Sequence, residues 1–134
     1  MTGLELICLA MAVYHEARSE PPIGQLAVAQ IVLNRVEHKA YPSTVCKVVK
    51  QGGTYRHRCQ FSFFCDGKSE IPKDTVAWET ALDIAEMAAA GAQIIVLQDC
   101  IHYYSILFEA PYWTEDLIEV ATIGNHRYFR KAKK

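Results

Sequence analysis

The chain has 134 residues, of which 51% are hydrophobic and 22% charged, and its formal net charge is −1. That suffices for one domain with a real core and excludes a disordered or coiled chain. The near-zero charge argues against a dedicated nucleic-acid binder. The one basic cluster, Arg130, Lys131, Lys133 and Lys134, reads as a solvated end that could also rest on an anionic polymer.

Thr2 followed by Glu5 fits a capping box, and the spacing predicts a first helix over about residues 3–18. This stretch carries no charge from Leu6 to Tyr14. It is apolar nearly all round, so it is expected at the centre of the domain. Pro21 and Pro22 cannot continue it. Glu16 therefore falls in the last turn or two of a core helix, where burial and the negative helix end both push a carboxyl pKa upward. A general acid working near neutral pH needs that condition. A partly exposed glutamate with an ordinary helical neighbour is the plainer reading of the same position.

A second helix is expected over about residues 23–38, with Gln30, Asn34 and Glu37 as its polar stripe and Leu26, Ala27, Ile31 and Leu33 on buried faces. Tyr41, Pro42 and Ser43 break the chain. Ser43 or Thr44 then caps a short third helix through Val45, Val48 and Val49. Residues 51–73 read as a long irregular segment, with a basic knot of Arg56, His57 and Arg58 and an apolar island of Phe61, Phe63 and Phe64. A loop of this length is commonly functional, and the phenylalanines favour docking onto the domain. A fourth helix is expected over about residues 74–90, stopped by Gly91. Beyond it the period changes to that of strands, at about residues 101–105, 118–123 and 126–129, with Gly124-Asn125 as the hairpin turn. The reading is α+β, predominantly helical, as a single domain over residues 1–134 with a small C-terminal sheet.

Five cysteines are present, Cys8, Cys46, Cys59, Cys65 and Cys100. Cys8 is expected to act as a small apolar core residue, and Cys59 and Cys65 could be bridged. No segment is long and apolar enough to span a membrane. The N-terminus lacks the basic region of a secretory signal, so the protein is expected to be made in the cytosol. Any target outside then requires a separate release step.

Several chemistries are open to these residues. His15-Glu16 is not a zinc-peptidase motif, because Ser19 stands where the second histidine belongs. Cys46, His57, Cys59 and Cys65 could form a zinc site only with irregular spacing. A cysteine hydrolase is the stronger rival: Cys46 lies in the first turn of a helix, where the dipole lowers a thiol pKa, and His102 and His126 are available partners. A glycosidase explains more. Glu16 supplies the acid, while Gln60, Ser62, Tyr103, Tyr104, Trp113, Asn125 and His126 are the amide, hydroxyl and flat aromatic groups that bind sugars. Tyr103 and Trp113 could equally be core filling. Asp66 and Glu70 lie in the long loop, but nothing fixes either opposite Glu16, whereas retaining and inverting hydrolases normally use two carboxyl groups.

Three further groups of residues carry a resemblance. These are Tyr14 to Pro21 with Gly24 to Ala29 and Val32 to Val36; Tyr41 to Cys46; and Gln60-Phe61-Ser62-Phe63 with Asp66-Gly67, closing on Ile123-Gly124-Asn125-His126. In this order they resemble the SleB-type cell-wall hydrolases, over nearly the whole chain. His15 departs from the pattern, in which a small residue is more usual. The resemblance implies a lysozyme-like, lytic-transglycosylase-like fold and cleavage of peptidoglycan between N-acetylmuramic acid and N-acetylglucosamine. It makes Glu16 the catalytic acid/base and Gln60 and Ser62 cleft residues, while Tyr104, Asn125 and His126 are expected as further substrate contacts from their side-chain types. It implies peptidoglycan glycan strands as the partner, a monomer, and no cofactor or metal. It also fits a bare catalytic module of the phage-endolysin kind, held in the cytosol until a holin-type lesion releases it. The alternatives are a cysteine-dependent wall amidase or peptidase and a catalytically silent wall-binding module.

Overall fold

The computed structural model describes residues 1–51 and 71–132. Gln60, Ser62, Asp66 and Glu70 lie outside the described residues, as do the phenylalanine island and the Cys59/Cys65 pair. Four helices come in order: α1 (Gly3–Ala17), α2 (Pro22–Glu37), α3 (Val45–Val49) and α4 (Thr75–Ala89). Three strands follow: β1 (Cys100–Ser105), β2 (Ile118–Ile123) and β3 (His126–Arg130). Short 3-10 turns at Ile95–Leu97 and Tyr112–Asp116 were not anticipated. No helix is long and apolar enough to cross a membrane, among the described residues.

Helix α1 starts where expected, with Thr2 accepting from the Glu5 N–H at 3.2 Å. It ends at Arg18, whose backbone N–H bonds back to Tyr14 before the two prolines. Leu9, Ala10, Ala12 and Val13 are fully buried, and α1 packs against all three other helices. Tyr14 reaches the start of α4, where its hydroxyl accepts from the Lys73 and Asp74 N–H groups. The central helix is thereby locked at the end that carries Glu16.

The polar stripe of α2 exists, but it faces protein and not only water. Gln30 pairs with the Ile94 backbone in both directions, at 3.0 and 2.6 Å. Asn34 donates to the carbonyls of Leu97 and Cys100, both at 2.8 Å. Arg35, buried, donates to the Ile101 carbonyl at 2.9 Å. Buried backbone groups need partners, and these side chains supply them to the irregular segment that leads into β1. The effect is to set β1 at a fixed height along α2.

The sheet is antiparallel in the order β1-β3-β2, with β3 central. Tyr128 of β3 is fully buried, in a second core with Ala27 and Ile31 of α2 and with Leu97 and Cys100. Cys8 is bonded to Cys46, joining α1 to α3. Its expected role as a lone apolar core residue is thus corrected: it is buried as one half of a bridge.

Candidate active site

Glu16 sits one residue before the end of α1, on the side facing β1. The hydroxyl of Tyr103 donates to Glu16 Oε1 at 3.2 Å. Burial pushes the Glu16 carboxyl above its ordinary range, while the Tyr103 bond and the Arg35 charge oppose that push. This is the state of a carboxyl that keeps its proton to a higher pH than a free glutamate, yet can shed it beside a cation and a hydroxyl donor.

A cavity of about 350 Å³ opens over this carboxyl, lined by Glu16, Arg35, His102, Tyr103, Tyr104, Ser105, Phe108, Trp113 and His126. Strand alternation does not explain why consecutive β1 residues His102 to Ser105 all reach it, since neighbours on a strand point to opposite faces. The pairing with β3 is irregular between Cys100 and His102 and regular from His102 to Ser105, so these four residues reach the cavity from both faces of the strand's end. The aromatic groups are packed among themselves. Tyr104 stacks on Phe129 at 5.8 Å, and Trp113 meets Phe129 edge-on at 5.7 Å and His102 at 5.4 Å. Flat, rigid walls beside a buried acid are what a sugar ring requires, because its C–H faces pack on aromatic rings while its hydroxyls bond to polar edges.

The two histidines of the cavity are held neutral. Burial, with the nearby Arg35 charge, lowers His102 to about 4. Burial also lowers His126, against the pull of Glu20. Near neutral pH both imidazoles therefore offer one donor and one acceptor nitrogen.

The residues expected from sequence are distributed unevenly. Glu16, Tyr103, Tyr104, Trp113 and His126 converge on the cavity. Tyr104 is also tied to Arg127, which donates to its hydroxyl at 3.2 Å. Asn125 does not line the cavity; it is an exposed turn residue whose backbone N–H donates to Glu20 and whose carbonyl accepts from Ile106. Gln60 and Ser62 lie outside the described residues. Cys46, the rival nucleophile, is bonded to Cys8 and is not on the cavity wall, so it offers His102 and His126 no thiol to activate.

Two buried charged positions near the site were missed. Arg35 is buried on the face of α2 towards Glu16, and a charge inside an otherwise apolar helix face was the available signal. Glu20 is buried as well, at 6% side-chain exposure, and its carboxylate turns to the β2–β3 turn and not to the cavity. Among the described residues lining the cavity, Glu16 is the sole carboxylate.

A family model described as Cell Wall Hydrolase matches residues 19–129. Spore cortex-lytic enzymes of Bacillus cereus and Bacillus subtilis are 37% and 36% identical over 75 residues, which is 56% of this chain. The matched stretch spans 27% and 23% of those two proteins' lengths, so most of each relative lies outside the match. The catalytic domain of the Bacillus cereus SleB protein superposes with a TM-score of 0.72 at 26% identity, covering 96% of this chain and 91% of that one. The catalytic domain of the germination-specific lytic transglycosylase SleB from Bacillus anthracis gives 0.74 at 25% identity, covering 97% of each chain. The α+β, lysozyme-like reading of the sequence agrees with this likeness.

Proposed function

The chain belongs to the cell wall hydrolase family, and we propose that it cleaves peptidoglycan glycan strands between N-acetylmuramic acid and N-acetylglucosamine as a lytic transglycosylase. The observation that carries this reading is Glu16. It is a half-buried carboxyl at the floor of an aromatic cavity, raised by burial and held by the Tyr103 hydroxyl and the Arg35 charge. The likeness to a SleB lytic transglycosylase catalytic domain over 97% of both chains supports the reaction type.

In this mechanism the protonated Glu16 gives its proton to the oxygen bridging the two sugars, and the bond from the muramic acid C1 to that oxygen breaks. The N-acetylglucosamine leaves with a free 4-hydroxyl. Glu16, now ionised, accepts hydrogen-bond donation from Tyr103 and the field of Arg35. It then takes the proton from the muramic acid 6-hydroxyl, whose oxygen closes onto C1. One carboxyl thus serves both steps and is returned protonated. The nucleophile is part of the substrate, and holding it near C1 replaces the capture of a water molecule. Tyr104, Trp113 and His126 are assigned to sugar contact. Gln60 and Ser62 retain the role that the family resemblance implies for them.

The Cys8–Cys46 bridge supports a place of action outside the reducing cytosol, since such bonds persist in oxidising compartments. Release from the cytosol through a membrane lesion remains part of the same proposal. Digestion of purified sacculi followed by mass spectrometry tests the reaction. Muramic acid ends in the 1,6-anhydro form, resistant to borohydride, are expected. Only reducible ends would make water the nucleophile, and free stem peptides on intact glycan would make the enzyme an amidase or peptidase.

A further inference from the structure

We propose that Glu20 is a positioning residue for the active site, clamping the β2–β3 turn to the end of α1 so that His126 holds Tyr103 against Glu16. The inference rests on the reading of Glu16 given above. Glu20 is a second carboxylate only four residues after the first, close enough to be taken for a partner acid or base. Its surroundings assign it otherwise.

The backbone of Glu20 is fixed on both sides. Its N–H bonds to the Ala17 carbonyl at 2.9 Å, and its own carbonyl accepts from Gln25 Nε2 at 3.1 Å. A Cβ on Gly24 would lie 3.1 Å from the Glu20 Cβ, so the first turn of α2 leaves room for this side chain and little more. The carboxylate then reaches the hairpin turn, 105 residues away in sequence. Oε1 accepts from the Asn125 N–H at 2.7 Å and lies 3.4 Å from His126 Nδ1. Oε2 lies 2.6 Å from where a Cβ on residue 124 would stand, and Gly124 has a φ of +59°. Turn and carboxylate fit only because that residue is glycine.

The clamp passes to the catalytic carboxyl through rigid contacts. His126 meets the Tyr103 ring edge-on, at 5.1 Å between centroids and 89° between planes. Tyr103 also packs on Tyr128 at 5.6 Å, and its hydroxyl donates to Glu16. Strand β3 pairs Tyr128 opposite Tyr103 and His126 opposite Ser105. The position of the turn therefore sets where the Tyr103 hydroxyl falls. Displacements of about 1 Å in such supports can lower rates by roughly 10²-fold.

The test compares Glu20→Gln, which keeps an oxygen to accept from Asn125, with Glu20→Ala, which removes it. The first readout is independent of turnover: titration of the Glu16 carboxyl by carbon NMR. The groups facing Glu16 are Tyr103 and His102 on β1, Arg35 on α2, His126 on β3 and His15 beside it on α1. Loss of negative charge at residue 20 can only ease ionisation of Glu16, whereas loosening of the Tyr103 bond hinders it. Glu20→Ala is expected to move the Glu16 titration to higher pH, and Glu20→Gln is not.

The second readout is kinetic. Glu20→Ala is expected to lose about tenfold or more in kcat with a smaller change in KM, and Glu20→Gln to stay within about threefold of the parent. If Glu20→Ala does not fold, Glu20→Asp, with the carboxylate on an arm one methylene shorter, is read in the same way. A lower melting temperature with the Glu16 titration and kcat both at parent values would overturn the proposal and leave Glu20 as a hairpin staple. If the parent cuts no glycan, the reaction assigned above fails, while the Glu16 titration still decides the role of Glu20.

Discussion

Replacing Glu16 by glutamine should move activity and stability in opposite directions. The amide retains an oxygen to accept from Tyr103 (3.2 Å in the parent), and Arg35 retains its bond to the Ile101 carbonyl and its seat over the Tyr41 ring. What is lost is the proton to be donated and the buried charge. General acid–base groups contribute roughly 10²–10⁴-fold, or about 2.7–5.5 kcal/mol of barrier at 1.36 kcal/mol per decade. Clearing of a sacculus suspension is therefore expected to slow by at least about a hundredfold.

Stability follows from the direction of the pKa. Burial raises Glu16 above its ordinary 4.5, so the folded state binds this proton more tightly than the unfolded chain. Its contribution is fully present below 4.5 and is lost as pH rises through the folded value. At pH 7 the parent carries a cost for this carboxyl that the neutral amide does not. Glu16→Gln should melt at a higher temperature than the parent at pH 7, with the difference shrinking towards pH 4. Thermal melts at both pH values, beside the turbidity assay, check the two halves. A variant that clears sacculi at the parent rate refutes the catalytic assignment. One that melts lower than the parent at pH 7, with no pH dependence, refutes the burial argument.

Tyr103→Phe removes the bond that lowers the Glu16 pKa; since the acid must be protonated to act, the alkaline limb of the pH–rate profile should move to higher pH, and an unmoved limb would count against the Tyr103 contact. Cys46→Ser should leave most activity in place but lower the unfolding free energy by about 2–4 kcal/mol, in line with a bridge closing a loop of this size. Loss of activity in a folded Cys46→Ser protein would restore the cysteine reading. Gly124→Ala forces a Cβ onto the Glu20 carboxylate at a positive φ, with an expected loss of about 1–3 kcal/mol, and a melting temperature equal to the parent's would refute the close approach. Urea or thermal unfolding measures both stability effects.

The periodic parts of this fold were legible in the sequence. Thr2 and the Ser43–Thr44 pair announced two helix starts, where Thr2 and Thr44 accept the capping bonds, and Asp74 does the same at the start of α4. The charge-free run ahead of Glu16 marked the central helix, and Gly124-Asn125 marked the hairpin. Helix caps and turns act over three or four residues, so their signals survive in a linear reading. Glu16 belonged to the same class, because a carboxylate at the end of an apolar helix is unusual on local grounds alone.

Long-range partnerships were not legible. Gln30 and Asn34 looked like part of a polar stripe and Arg35 was passed over, and only the packing of α2 shows all three bonding to backbone more than sixty residues away. Cys8 and Cys46 had no spacing that required pairing; folding α3 against α1 brings them together. Asn125 carried the marks of a sugar-binding amide, yet its seen contribution is through the backbone of the turn. Glu20, passed over beside a more conspicuous neighbour, is aimed by the prolines and Gly24 at a turn on the other side of the chain. Sequence alone determined the main helices and strands and singled out Glu16, because those depend on local chemistry. Tertiary structure decided which hydroxyl and which cation stand beside that carboxyl and where Glu20 turns, because a side chain's partner depends on how the elements pack.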